Sequence, residues 1–231
     1  MKKVMMVVIA VLVTGTLWAE KKTYNFDSDK LGKEWTVEGD AVISADQKHS
    51  GAKSLKIVPG CIVSCVFSEE NTFGKITMWV YDTGTSPSRK DLNKHNKFGF
   101  GNLWGAINED EDKLVFGQIW APFLNGDAIY NWSSSASGSG YRWANRWGTS
   151  LRRKEGWHKW VLDFVSESEL NVSMDDDVVG NGFSFETSKF DKGITGLYFE
   201  GGKSYGSAVL EDPVYIDDIE VELKMNSKNK K

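Results

Sequence analysis

The stretch "WHKWVLDF", residues 157–164, alternates along its length. His158, Trp160, Leu162 and Phe164 share one side, and Trp157, Lys159, Val161 and Asp163 share the other. That is the period of two imposed by a strand. The first set is apolar apart from His158, so it belongs to a core. A histidine on such a face reads as a hydrogen-bonded structural residue and not as a catalyst. Similar short runs recur along the chain: "SLKIV" (54–58), "CIVSCVF" (61–67), "KITMWVYD" (75–82), "KFGFGNLWGAI" (97–107), "KLVFGQIWAPF" (113–123), "LNVSM" (170–174), "GLYFEGG" (196–202) and "VYIDDIEVEL" (214–223). Gly, Asn and Asp lie between them, and long helical patterns are hard to find. Trp35, Trp79 and Trp160 are the expected core tryptophans, with Ile219, Val221 and Leu223 the inward residues of the last strand. Many short strands predict an all-β, two-sheet antiparallel β-sandwich.

The first residues, "MKKVMMVVIAVLVTGTLWAEKK", place two lysines before an apolar run and a small Ala19 after it. This reads as a secretory signal peptide over 1–19. Its apolar run is too short to cross a bilayer as a mature helix. The mature protein would be secreted or periplasmic, with one sandwich domain over 20–224 and a polar, frayed tail over 225–231. Lys2 and Lys3 leave with the signal and shift the formal charge from −4 to −6. Such an acidic chain is no nucleic-acid binder, and nothing later is long enough to span a membrane. Cys61 and Cys65 would lie roughly 13 Å apart in a regular strand, whereas a disulfide needs Cα atoms within about 7 Å. They read as two thiols on the face of Phe67, or as a disulfide if Pro59-Gly60 starts a turn or bulge that draws them together.

Three separated pieces carry a family resemblance: "YNFDSDKLGKEW" (24–35), "HSGAKSLKI" (49–57) and "VYIDDIEVEL". Together they resemble the jelly-roll carbohydrate-binding modules of secreted polysaccharide-degrading bacteria. "EGWHKWVLDF" with "LNVSMDDDVV" is similar to the laminin-G and concanavalin A-like sandwiches. Those have Asp-Gly where this chain has Asp175-Asp176-Asp177. The resemblance implies a structural calcium held by Asp27, by Asp217 or Asp218, and by carbonyls near Ser50–Lys53. Calcium takes six to eight hard oxygens, and carboxylates with carbonyls supply them. The alternative is that Asp27 begins a turn and the Asp217-Asp218 pair faces solvent. The acidic "INEDEDK" (107–113) lacks the spacing of a calcium loop and reads as a hairpin tip.

Catalytic signatures are missing from the sequence. No strand carries the Glu-x-Asp-x-x-Glu pattern of retaining hydrolases on concanavalin A-like folds. The Gln-Ile-His of alginate-type lyases is replaced by Gln118-Ile119-Trp120. "NWSSSASGSGYRWANRWGTSLRRKEGWHKW" (131–160) holds five of the ten tryptophans. Trp132, Tyr141, Trp143 and Trp147 lie in its irregular Ser/Gly-rich part, with Arg142 and Arg146 between them. Aromatic rings stack on the apolar faces of sugars, and guanidinium groups grip hydroxyls, uronates or sulfates. Arg152, Arg153 and Lys154 add positive charge. These residues are read either as a glycan-binding platform or as an insertion folding its rings back over a sheet. The expected ligand is a polysaccharide or oligosaccharide, with a partner enzyme as a further partner. A lyase or hydrolase on the same fold is the second reading, and a non-catalytic surface accessory domain is the third.

Overall fold

The structure is a computed structural model and describes residues 20–84, 99–120, 128–135, 153–167, 169–178, 190–202 and 212–224. Its fourteen strands are β1 (Glu20–Tyr24), β2 (Trp35–Glu38), β3 (Val42–Ser44), β4 (Ser54–Ile57), β5 (Ile62–Val66), β6 (Gly74–Asp82) and β7 (Gly99–Ile107), then β8 (Lys113–Trp120), β9 (Ala128–Ser135), β10 (Gly156–Ser166), β11 (Glu169–Met174), β12 (Asp177–Val178), β13 (Gly196–Glu200) and β14 (Val214–Leu223). They form two antiparallel sheets. One runs β12-β11-β10-β6-β14-β4-β3 with β1 also on β14; the other runs β2-β5-β13-β7-β8-β9. No helix occurs among the described residues, so none is long and apolar enough to cross a membrane.

Nine of these strands are the alternating runs of the sequence, with ends that differ by no more than two residues where those residues are described. β1, β2, β3, β9 and β12 are additions. β3 and β12 are too short to show a period, and β2 exposes three of its four residues. In β10 the alternation holds: His158, Trp160, Leu162 and Phe164 are buried and the residues between them are not. β10 pairs with β6 from Gly156–Asp82 to Phe164–Gly74. β6 has the same phase and contributes Ile76, Met78 and Val80 to the core. Across the sandwich lie Trp104, Phe116, Leu197 and Phe199. Trp160 meets Trp104 edge-on at 5.3 Å and Phe116 at 5.6 Å. Truncating so large a buried ring costs about 3–5 kcal/mol. Trp35 closes one end of the core against Phe26 and Phe199.

Trp79 does not join this core, contrary to expectation. Its odd position in β6 puts it on the outer face, half-buried, opposite Lys159. The "INEDEDK" segment is the β7–β8 hairpin tip, where the Asn108 side-chain carbonyl accepts the N–H groups of Asp110 and Asp112. Asp175 and Asp176, both at positive φ, form the two-residue turn between β11 and β12. Type I′ hairpin turns require that conformation, and Asp tolerates it.

Cys61 and Cys65 are free and buried, on the core face with Phe67. Burial pushes both thiols up, Cys65 to about 12. The folded state thus keeps the Cys65 proton that an unfolded chain releases near the ordinary value of 9.0. The stability this contributes is intact below that value and falls as pH rises through it towards 12. Iodoacetamide at pH 8 should therefore leave the native chain unmodified and label both thiols in urea. Rapid labelling of the native chain would contradict the burial.

Candidate functional site

Two aspartates in β14 organise the loop between β3 and β4. The pairing of β14 with β6 passes from Asp217–Trp79 to Glu220–Thr77 through a β-bulge. Asp218, at φ 44°, is the backbone irregularity inside it. The bulge lets Asp217 occupy the outer-face phase of Tyr215 while Ile219, Val221 and Leu223 still point inward, as the sequence predicted. Asp217 is fully buried. Its Oδ2 accepts the N–H groups of His49 at 3.0 Å and Ser50 at 3.2 Å, and its Oδ1 accepts that of Asp218 at 2.8 Å. Burial pushes its carboxyl above the usual range, and those N–H donors oppose the shift. Asp218 accepts the Ser50 hydroxyl at 2.7 Å and lies 2.6 Å from His49 Nδ1.

Asp27 reaches the same loop from the other end of the chain, accepting the Ala52 N–H at 2.6 Å. Gly51 sits at φ 57°, and a Cβ there would run into the Asp27 carboxylate. Asp27, Asp217 and Asp218 therefore each hydrogen-bond to the loop of residues 49–52, and carboxylate oxygens are donors of the kind that calcium takes. The contacts formed are hydrogen bonds, and among the described residues no three Asp, Glu, His or Cys side chains gather as a metal site.

His158 has the structural role its phase implied. Its Nδ1 lies 2.6 Å from Asp175 Oδ2 and its Nε2 lies 2.8 Å from the Lys154 carbonyl. Asp175 Oδ1 also accepts the Lys159 N–H. The imidazole therefore ties the β11–β12 turn to the start of β10.

Of the residues expected to bind a glycan, Tyr141, Arg142, Trp143, Arg146 and Trp147 lie outside the described residues. Trp132 lies in β9, and not in irregular chain, with its backbone paired to that of Phe116. Segment 136–152 leaves β9 at the edge of the smaller sheet and returns ahead of β10 in the larger one. Arg153 fastens its return by a two-pronged contact to Asp82 at the end of β6, with both side chains almost fully buried. Breaking a buried pair of this kind typically costs about 3–5 kcal/mol. Arg153 was counted from sequence as a charge for the ligand; it is committed to Asp82.

No family model matches the chain, and no curated protein matches its sequence. Solved structures share its fold. The cellulose induced protein Cip1 is 14% identical with a TM-score of 0.56, covering 87% of this chain and 96% of its own. The alginate lyase Aly36B is 10% identical with a TM-score of 0.54, covering 88% and 97%. Domain 4 of AbnA, a GH43 extracellular arabinanase from Geobacillus stearothermophilus solved with arabinotriose, is 12% identical with a TM-score of 0.53, covering 90% and 94%. At these identities the likeness establishes the antiparallel β-sandwich.

Asp217→Ala leaves the His49 and Ser50 N–H groups unpaired and should cost about 2–4 kcal/mol in urea unfolding. Asp217→Asn keeps an acceptor and should cost less than half as much. An alanine variant as stable as the parent would show that the carboxylate does not hold the loop.

Proposed function

We propose that this chain is an exported glycan-binding protein. Its ligand is taken by the segment carrying Trp132, Tyr141, Arg142, Trp143, Arg146 and Trp147. The observation that carries the reading is the order of the chain on either side of 136–152: β9 before it is paired with β8, and Arg153 after it forms a buried pair with Asp82. A rigid scaffold that fixes both ends of a Trp-, Tyr- and Arg-rich connection is a common way for sandwiches to present a binding surface. Stacking supplies contact area, and Arg142 and Arg146 supply hydroxyl or carboxylate recognition. The names of the structural neighbours, a cellulose-induced protein, an arabinanase domain and an alginate lyase, support a carbohydrate ligand. The signal-like residues 1–19 support a secreted or periplasmic location. A lyase on this fold is the second reading, favoured by the likeness to Aly36B.

We also propose a structural calcium at the loop of residues 49–53, with Asp27 and Asp217 as its carboxylates. When bound, it would add a charge bridge between the two chain ends. The N–H contacts already made by those carboxylates would orient them for it.

A glycan array followed by titration of intrinsic tryptophan fluorescence tests the binding. Trp143→Ala and Trp147→Ala should each weaken the best ligand about tenfold. Unchanged affinity in both would move the ligand elsewhere. Ultraviolet absorbance from an unsaturated uronate after incubation would establish the lyase reading instead. For the metal, chelator should lower the melting temperature by on the order of 5 °C, and added calcium should restore it. A melting temperature indifferent to both would remove calcium from the proposal.

A further inference from the structure

The outer face of the larger sheet carries a row of rings that belong neither to the core nor to the 131–147 segment. Lys56, Tyr215, Tyr81 and Trp157 occupy directly paired positions on β4, β14, β6 and β10. Tyr81 lies 6.0 Å from Tyr215 and 5.4 Å from Trp157, and Lys56 Nζ is 5.7 Å from the Tyr215 ring centre. Two residues back along β6, Trp79 carries His49 flat on its ring at 3.7 Å, and the edge of His49 meets Trp157 at 5.7 Å. Tyr215 is buried as the floor, while Tyr81, Trp79, Trp157 and His49 are partly exposed.

Elsewhere this face is mostly polar, as a solvated sheet requires: Lys75, Thr77, Asp163, Glu220 and Glu222 are partly exposed along it, with Val161 and Val165 the aliphatic exceptions on β10. A run of large rings at one end departs from that pattern, and such departures concentrate at functional sites. Cross-strand aromatic pairs do stabilise a sheet, but stability alone does not call for rings left partly in water. The row has no aliphatic side chain within it, unlike a protein-docking core. The two lysines bordering it are matched by carboxylates, Lys56 by Asp46 at 2.6 Å and Lys159 by Asp176 at 3.6 Å. Among the described residues, neither bordering lysine is thus left as a free cation for a uronate or sulfate. The rings are tilted by 66° and 85° and form no flat shelf for a crystalline surface. Their spacing is comparable to the length of one sugar unit.

We propose that this row is a second carbohydrate-contacting surface, taking a single chain of neutral sugar across strands β10, β6 and β14. Stacking on Trp157 and Tyr81 supplies the contact area, and Lys56, Asp46 and His49 supply polar partners for hydroxyls. The surface shares only its sugar chemistry with the 131–147 reading and stands or falls separately from it.

Cellotetraose and arabinotriose are the neutral probes and an alginate tetrasaccharide the acidic control, titrated into the full chain and followed by calorimetry. At least one neutral probe should bind, and Trp157→Ala or Tyr81→Ala should weaken it about tenfold. Trp143→Ala with Trp147→Ala should leave that binding in place. Should a truncated variant lose its thermal transition, Trp157→Leu retains bulk, removes the stacking face and should show the same loss. Binding of neutral probes that is unaffected at Trp157 and Tyr81 overturns the proposal, as does binding of the acidic probe alone or of none. Loss only in the Trp143 and Trp147 variants overturns this surface and leaves the first reading standing.

Discussion

The buried carboxylate of Asp217 is the constraint on which the rest of the larger sheet depends. β14 pairs with β6 along one side, while its other side is shared by β4 on its first residues and β1 on its last. The bulge at Asp217-Asp218 is the point of exchange. An extra residue there shifts the phase, so that Ile216 and Ile219 both face the core although an even strand would put them on opposite faces. Burying a carboxylate is costly unless it is fully hydrogen-bonded. Three backbone N–H groups meet that need, two of them from the β3–β4 loop. One side chain therefore sets the register of the last strand and the shape of a distant loop.

That loop also links scaffold to surface. His49 is fixed by its backbone on Asp217 and by its ring on Asp218. From there its imidazole covers Trp79 and touches Trp157. The placement of His49 over Trp79 and against Trp157 thus follows from the bulge. Arg153, the first described residue after 136–152, is held instead by Asp82 at the end of β6. The two proposed sugar-contacting regions rest on different supports, which is why they can be separated by mutation. The likeness to carbohydrate-related structures supplies a fold, and a fold of this kind hosts binders, lyases and hydrolases alike. The fold by itself assigns none of these roles.

Alternation was enough to recognise the long strands, because a half-buried strand must repeat every two residues. β6, β10 and β14 were legible for that reason, as was the structural role of His158. The convergence of Asp27 and Asp217 on residues 49–52 was legible through the family resemblance, since the three pieces are far apart in the chain. Trp79 departs from expectation because tryptophan's size suggests burial, whereas its phase with Tyr81 points outward. Phase could have found the outer row in part: Trp157 had already been placed opposite the core set. Arg153 could not be distinguished from its neighbours Arg152 and Lys154, because composition does not say which cation meets Asp82.

By itself, the sequence determined the fold class, the nine principal strands, the two core-facing thiols as one of two readings, and the aromatic and basic content of 131–160. Periodicity and composition are local quantities, and these are local facts. Tertiary structure alone decided the cross-strand row of Lys56, Tyr215, Tyr81 and Trp157, whose members come from four strands and sit together only through register. It also decided that Asp217 is buried and hydrogen-bonded instead of solvated, because the donors it needs lie 167 and 168 residues away along the chain. Contacts of that separation have no trace in a local pattern.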